Sequence, residues 1–247
     1  MSTRLFIKKN WISLMKINSL WLCVITLIGV ILLFELTSLD LYFQDFFYNF
    51  QTHQWVIDRN ERISKLFFYT GVKKLFIFLL LCLVLSLIFL RKNPVILKYR
   101  QGLILVCLSA VVIPLFIGGL KSITNVPCPR DIEHYQGTYP YVRLLDKYPA
   151  NFHQTKNIKC YPAGHASGAF ALLSLYFLFK TTRNRRISLG IVMGLAWSMG
   201  NYKMLIGDHF FSHTWVTMNL SWIIILLLKR ILESQRFNFN FMPNCEE

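Results

Sequence analysis

Three short segments of the chain carry cationic and histidine side chains at spacings that suit chemistry on a phosphate group. They run from Lys121 to Arg130, from Tyr161 to His165, and from Lys203 through His209 to His213. Hydrolysis of a phosphate ester without a metal ion needs cations and N–H donors around the phosphoryl oxygens, a nucleophile in line, and an acid for the leaving oxygen. Lysine, arginine and histidine supply these groups, so the segments predict a phosphate-binding and phosphate-hydrolysing site.

The candidate roles follow from where each side chain stands relative to the long apolar runs. Lys121 and Lys203 end two of these runs, and Arg130 adds a planar donor fork a few residues into the adjoining loop. Gly164 allows close backbone approach next to His165. Helices that begin at this surface point free N–H groups toward it, which favours a bound phosphate.

If the long apolar runs are membrane-spanning helices, all six histidines lie on one side of the membrane, although successive loops alternate sides. They are His53, His134, His153, His165, His209 and His213. This segregation indicates an active site on that side. Within it, His209 and His213 share one helical face if the last helix begins early.

Composition indicates an integral membrane protein. Hydrophobic residues make up 54% of the chain and charged residues only 16%, while the net charge is +15. Six apolar runs approach the ~20 residues that a bilayer helix needs, the last three only if their helices continue into the motif residues. The runs are Ser19–Ser38, Leu75–Leu90, Gly102–Leu120, Ala166–Phe179, Ile187–Met199 and Trp215–Leu228. We therefore expect an all-α fold with six transmembrane helices.

The basic residues predict the orientation. The N-terminal segment, the loops after the second and fourth runs, and the start of the tail carry lysine and arginine without acidic residues. The positive-inside rule puts both termini in the cytoplasm and the site at the periplasmic ends of the last four helices. We expect residues 1–232 to form one six-helix domain and residues 233–247 a cytoplasmic tail. Because the basic residues are split among short loops, nucleic acid is not an expected partner.

Two outer loops are expected to cap the site. Residues 39–72 are rich in aromatic side chains, which predicts an amphipathic segment at the membrane interface. The loop at 121–165 is long and stiffened by prolines, which favours a functional cap. Cys128 and Cys160 lie in this loop on the oxidising side, and the sequence is compatible with a disulfide between them or with two free thiols.

The ordered motifs resemble those of the type 2 phosphatidic acid phosphatase superfamily over roughly residues 60–230. That family reads Lys-x6-Arg-Pro, Pro-Ser-Gly-His and Ser-Arg-x5-His-x3-Asp. The resemblance implies that His209 is the nucleophile of a phosphohistidine intermediate. It implies that His165 is the general acid and later the base. It also implies that Lys121, Lys203 and the Gly164 backbone hold the phosphoryl oxygens, with no metal ion or other cofactor.

The chain departs from the family pattern at each motif. Cys128 stands for the arginine of the first motif, and Arg130, two residues later, is the nearest replacement. Ala163 stands for the serine of the second motif. In the third motif, Tyr202 and Lys203 stand for Ser-Arg. The lysine ammonium is a compact charge, whereas the arginine guanidinium of the family donates two parallel hydrogen bonds.

The most serious departure is His213, which stands where the family has the aspartate that orients the nucleophile. A neutral imidazole fixes a tautomer but supplies no charge, so His213 is a catalytic candidate of altered character. Asp208 and Asp131 are the candidates for the missing carboxylate. Sequences with Cys-Pro, Pro-Ala-Gly-His-Ala-Ser and His-Phe-x-Ser-His-Thr resemble a bacterial branch of the superfamily, which makes the departures a branch pattern.

The resulting prediction is an enzyme of the bacterial inner membrane that hydrolyses a lipid phosphate at the periplasmic face. Lipid A phosphate is the favoured substrate; undecaprenyl diphosphate, phosphatidylglycerol phosphate, phosphatidic acid and phosphoryl transfer to another lipid stay open. One alternative is a zinc-dependent hydrolase with His165, His209 and His213 as ligands, which the neighbouring cations oppose. The other is a non-catalytic protein that binds or transports lipid phosphates. The expected partners are the lipid phosphate and the membrane, and the oligomeric state is open.

Overall fold

The computed structural model describes the backbone of residues 2–239 and the side chains of residues 19–234 except residue 69. The elements are α1 (Ser2–Leu36), α2 (Leu39–Asp45), β1 (Tyr48–Asn49), β2 (Gln54–Trp55), α3 (Arg62–Lys65), a π-helical stretch (Leu66–Gly71), α4 (Val72–Phe89), α5 (Pro94–Thr124), 3₁₀ turns at Pro129–Asp131 and Glu133–Tyr135, α6 (Gly164–Ala171), a 3₁₀ turn at Leu172–Ser174, α7 (Leu175–Leu178), α8 (Thr182–Leu205) and α9 (Phe211–Phe239). The fold is mainly helical, as predicted, with one short antiparallel hairpin of β1 and β2. Helix α9 continues past the expected domain end at residue 232. The end of the predicted tail, 240–247, lies outside the described residues.

Local sequence explains where the long helices begin and end. The Asn93 side chain accepts a hydrogen bond from the Val95 N–H at 2.9 Å, and Pro94 occupies the first helical position of α5. Both residues favour the start of a helix. The asparagine side chain accepts a hydrogen bond from an otherwise unpaired N–H of the first turn, and proline has no N–H that would be left unpaired. At the other end of α5, Asn125 is left-handed with φ 49°. This turn directs the chain into the long outer loop just after Lys121.

Among the described residues, four helical stretches are long and apolar enough to cross a membrane. They are Ser19–Leu36, Arg62–Phe89, Pro94–Asp131 and Phe211–Ser234. They coincide with the first, second, third and sixth predicted runs, and the chain is therefore a multi-pass membrane protein. The fourth run lies in a shorter apolar helix, Gly164–Leu178, and the fifth lies in α8. Six crossings and cytoplasmic termini stay predictions.

The core that positions the site is formed by α5, α6, α8 and α9. Ile113 and Ile117 of α5, Phe170 of α6, Ala196 of α8 and Ile225 of α9 are all 0% exposed. Helix α4, by contrast, has no buried residue, because lipid tails are as apolar as a protein interior and accept its side chains. The four packed helices hold the ends of the three motifs in a fixed relation.

An aromatic layer covers the outer end of this core. It combines α2, the hairpin and the 3₁₀ turns of the long loop. Tyr48 is 6% exposed and contacts Trp55 and Tyr135 with ring centroids 4.8 and 5.1 Å apart. Tyr42 of α2 and Phe46, the residue that follows α2, are 58% and 66% exposed, which suits a segment at the membrane interface. The aromatic residues of the 39–72 loop thus divide between an outward surface and an inward cover.

Cys128 and Cys160 form a disulfide, with Cα atoms 5.2 Å apart. Of the two possibilities left open by the sequence, the structure has the cross-link. Nearby, the Cys160 N–H donates to the Val126 carbonyl at 3.2 Å, and the Thr124 hydroxyl donates to the Tyr161 carbonyl. These bonds join the start and the end of the long loop, so the first and second motifs are tied together.

Candidate active site

Lys121 and Gly164 meet where α5 ends and α6 begins. A Cβ on Gly164 would lie 3.7 Å from Cδ and 3.8 Å from Nζ of Lys121, so the lysine side chain runs across the first residue of α6. The N-cap residue, Ala163, provides no side-chain cap to this helix. The unpaired N–H groups of its first turn and the lysine amine therefore favour an anion at the same place.

A tight turn after α8 places the third motif against the first. Gly207 has φ +71°, a conformation that residues with a side chain rarely adopt. The Gly207 carbonyl accepts from the Arg130 N–H at 3.1 Å, and the His209 N–H donates to the Lys203 carbonyl at 3.3 Å. A Cβ at Gly207 would also overlap the indole of Trp55. Glycine at this position allows the aromatic layer and both motifs to meet.

His209 lies between the other two candidate histidines. Its ring centroid is 6.1 Å from that of His165 and 5.7 Å from that of His213, and both His209 and His213 are 2% exposed. Among the described residues, neither ring nitrogen of His209 has a hydrogen-bond partner. Leaving a buried polar group without a partner costs about 1–3 kcal/mol, so such groups are uncommon unless they meet a ligand.

His213 is held differently. Its ring packs edge to face on Tyr161, with the ring centroids 5.1 Å apart, while its Nδ1 has no partner within the described part of the chain. Because α9 begins at Phe211, His209 precedes the helix and only His213 is helical. The condition for a shared helical face is therefore not met, and the two rings instead pack edge to face at an interplanar angle of 63°.

Neither candidate carboxylate orients His209. Asp208 accepts a hydrogen bond from Lys203 Nζ at 2.7 Å and another from Arg130 Nη1. Asp131 lies 3.6 Å from Arg130 Nε. Both acids thus face cations, and the geometry gives neither of them the role that the family aspartate has.

The cationic side chains converge around Asp208. Lys203 is 7% exposed although it carries a charge, and Lys121 lies within electrostatic reach of Asp208, Lys203 and Arg130. A buried charge is stable only when it is paired, so Asp208 compensates part of this positive charge. The surplus remains positive, which favours an anionic ligand beside the histidines.

The same surroundings set the protonation of His209. Burial lowers the pKa of His209 well below its ordinary value, and the positive potential of its neighbours, His213 and Lys121 among them, lowers it further. Desolvation and nearby positive charge both disfavour the imidazolium. The imidazole is therefore neutral at physiological pH, with a lone pair available for attack.

Three polar residues missed by the sequence reasoning also belong to these surroundings. The Arg59 side chain reaches to 3.6 Å from Asp208, and Lys73, at the start of α4, acts electrostatically on His165. Asp40 of α2 is 6% exposed, and burial raises its pKa to about 6, although hydrogen bonds from Ser212 oppose this. All three precede the motifs in sequence. For Asp40 and Lys73 the available signal was a charged residue next to a predicted apolar run, whereas Arg59 has no such neighbour.

The three histidines do not form a compact ligand set. Among the described side chains, the group of possible ligand atoms lying within 4.8 Å of one another is Cys128, Asp131 and Cys160. Its two sulfurs form the disulfide and are not available as thiolates. The zinc alternative requires His165, His209 and His213 in such a group, and the structure does not place them so.

The chain is thus a helical membrane protein in which cationic and histidine motifs meet at one end of four packed helices. The sequence model of the PAP2 superfamily matches residues 102–237, more than half of the chain, and the chain belongs to this superfamily. The resemblance inferred from the motifs is confirmed, although the match begins later than residue 60. Members of the superfamily are phosphatases that act on phosphate esters. No curated protein and no solved structure matches the chain.

Proposed function

We propose that the protein hydrolyses a lipid phosphate through a phosphohistidine formed at His209. The observation that carries the proposal is the state of His209, which is buried and neutral and lacks a hydrogen-bond partner on either ring nitrogen among the described residues. An imidazole in this state contributes no side-chain hydrogen bond that would stabilise the fold. Beside His165 and a cluster of cations, it is suited to bond to phosphorus.

The reaction has two displacements. In the first, a ring nitrogen of His209 attacks phosphorus, and the bond between phosphorus and the lipid oxygen breaks. His165 gives its proton to the leaving alkoxide, and the negative phosphate favours the protonated imidazole before this step. In the second, His165 takes a proton from water, whose oxygen attacks phosphorus. The N–P bond then breaks and inorganic phosphate leaves.

The phosphoryl oxygens are held by cations and backbone donors. Lys121, Lys203 and Arg130 supply positive charge, and the N–H groups that begin α6 at Gly164 point to the same place. These groups stabilise the charge that develops on the oxygens in each transition state. His213 takes the place of the orienting aspartate by packing its ring against His209 rather than by pairing charges.

A lipid substrate at the periplasmic face suits the surroundings of the site. The site lies under the aromatic layer, and Tyr42 and Phe46 of that layer are exposed at the level where lipid headgroups are expected. Lipid A phosphate is the substrate that we favour, in the inner membrane of a bacterium. A reporter enzyme that needs the periplasm should be active when inserted after Lys147 and inactive at the C-terminus; the reverse pattern contradicts this orientation.

The test of function is phosphate release from a panel of lipid phosphates by the detergent-purified protein in the presence of a chelator. His209→Ala should abolish release, because no nucleophile remains. The matched control is His153→Ala, which removes an exposed histidine of the long loop and should leave release unchanged. Release that survives in His209→Ala contradicts the proposed nucleophile. Lipid binding without release by the wild type favours the non-catalytic binding or transport protein.

A further inference from the structure

The carboxylate of Asp208 occupies the cations that the proposed reaction needs for phosphate. One of its oxygens accepts from Lys203 Nζ at 2.7 Å, and the other accepts from Arg130 Nη1, with Arg59 Nε 3.6 Å from that same oxygen. Asp208 and Lys203 are each only 8% exposed as side chains. The carboxylate therefore binds these cations as two phosphoryl oxygens would, one donor to each oxygen.

A phosphate that enters this site meets a negative charge already bound to its donors. Lysine has three N–H donors and the guanidinium has five, so some sharing is possible. Like charges within a few ångströms in a partly buried site repel each other strongly, however, because little water screens them. Either the phosphate displaces the carboxylate from its partners, or it binds beside it against this repulsion. Both routes weaken the binding of a phosphate group.

We propose that Asp208 is an internal counter-anion that competes with phosphate for Lys203 and Arg130 and so promotes the release of inorganic phosphate. This inference rests on the proposed function, because release matters only if phosphate is a product. Without Asp208, the cluster of Lys121, Lys203, Arg130, Arg59 and Lys73 would hold free phosphate tightly. A lipid substrate meets the same repulsion but still binds, since its acyl chains add binding energy that free phosphate lacks.

The test compares the affinity of three forms of the protein for inorganic phosphate, measured by titration calorimetry in detergent. Asp208→Asn keeps the shape and a hydrogen-bond acceptor but removes the charge, and it should bind phosphate about tenfold more tightly than the wild type. Asp131→Asn is the matched control. It removes a carboxylate that lies 3.6 Å from Nε of the same arginine, and it should change the affinity less than threefold.

Unchanged or weaker phosphate binding by Asp208→Asn overturns the proposal, because Asp208 would then only order the cations. An equal gain in both variants overturns it as well, since it would show a general effect of charge. If Asp208→Asn does not fold, as thermal unfolding would show, Asp208→Glu gives the answer. Its side chain keeps the negative charge beside the same cations, so phosphate binding should stay within threefold of the wild type. Binding that is tenfold tighter with the charge retained contradicts competition.

The binding measurement separates this proposal from the proposed function. Inorganic phosphate binds or does not bind whether or not the protein hydrolyses a lipid. Tight binding in Asp208→Asn together with absence of phosphate release by the wild type would support the counter-anion and contradict the enzyme. If both hold, product inhibition by phosphate should be stronger in Asp208→Asn by the same factor as the binding.

Discussion

Replacing Lys203 by methionine tests whether the charge cluster both stabilises the protein and binds its ligand. The change keeps the aliphatic length but leaves Asp208, 8% exposed, without its 2.7 Å partner. Removing one member of a buried ion pair costs about 3–5 kcal/mol. Asp208 keeps Arg130 and, more distantly, Arg59, so we expect the lower end, about 3 kcal/mol. For a chain of this size, that loss lowers the melting temperature by roughly 6–12 °C.

The double variant with Asp208→Asn distinguishes stability from function. Removing both charges eliminates the uncompensated carboxylate, and asparagine still accepts from Arg130. The double variant should therefore regain at least half of the lost melting temperature. It should not regain phosphate release, because a cation that holds the phosphoryl oxygens is still missing.

The assay is thermal unfolding in detergent, followed by phosphate release on the same samples. Lys147→Met, at an exposed position of the outer loop, is the control and should match the wild type in both measurements. An unchanged melting temperature in Lys203→Met would refute the buried pair. Full activity in the double variant would refute the role of Lys203 in binding phosphate.

Three further predictions concern other parts of the site. His165→Ala should lose release from a lipid phosphate by about 10²–10⁴-fold, yet should still release the leaving group of an aryl phosphate in a single-turnover burst, because that group needs no proton. Asp40 has a pKa of about 6 in the folded protein against an ordinary value of 3.8, so its protonated form favours the folded state. This contribution to stability, about 3 kcal/mol, is present below about pH 4 and is lost as the pH rises through 6. The melting temperature of Asp40→Asn should therefore fall less over this range than that of the wild type. Reduction of the Cys128–Cys160 disulfide, which spans 32 residues, should lower stability by about 3–4 kcal/mol and reduce phosphate release, because the first and second motifs are no longer tied together.

Each of these predictions has a clear contrary result. An aryl phosphate that reacts as slowly as the lipid in His165→Ala argues against a general acid. Parallel melting curves against pH for wild type and Asp40→Asn show that Asp40 does not titrate in this way. A Cys128→Ser, Cys160→Ser double variant with unchanged melting temperature and release shows that hydrogen bonds alone hold the loop.

The parts of the fold that the sequence predicts are those that follow from local composition. Apolar runs identify α1, α4, α5 and α9, because a bilayer helix is recognisable from length and hydropathy alone. The hairpin of β1 and β2 was missed, since two-residue strands bounded by aromatic residues have no period to detect. The crossing of α8 stays a prediction, because the arginines in its first turns lower its hydropathy below that of the four apolar stretches.

The site shows a similar division. Motif spacing predicts Lys121, His165, Lys203 and His209 as site residues. The structure brings them together from three segments, and their roles stay predictions. The partners of the carboxylates could not be read from the sequence. Asp208 is adjacent to His209 in the chain, yet its oxygens face Lys203 and Arg130. Which way a side chain points after a glycine turn depends on the packing of Trp55 over that turn, which is a long-range contact.

The most direct test of the account is to trap the covalent intermediate. Purified protein is mixed with a lipid phosphate labelled in the phosphoryl group, quenched within milliseconds in alkali, digested and analysed by mass spectrometry. We predict an alkali-stable, acid-labile phosphoryl group on His209 in the wild type, absent from His209→Ala and unaffected in His153→Ala. Labelled phosphate released at the full rate, with no phosphoryl group on any histidine, would contradict the central claim and indicate direct attack by water.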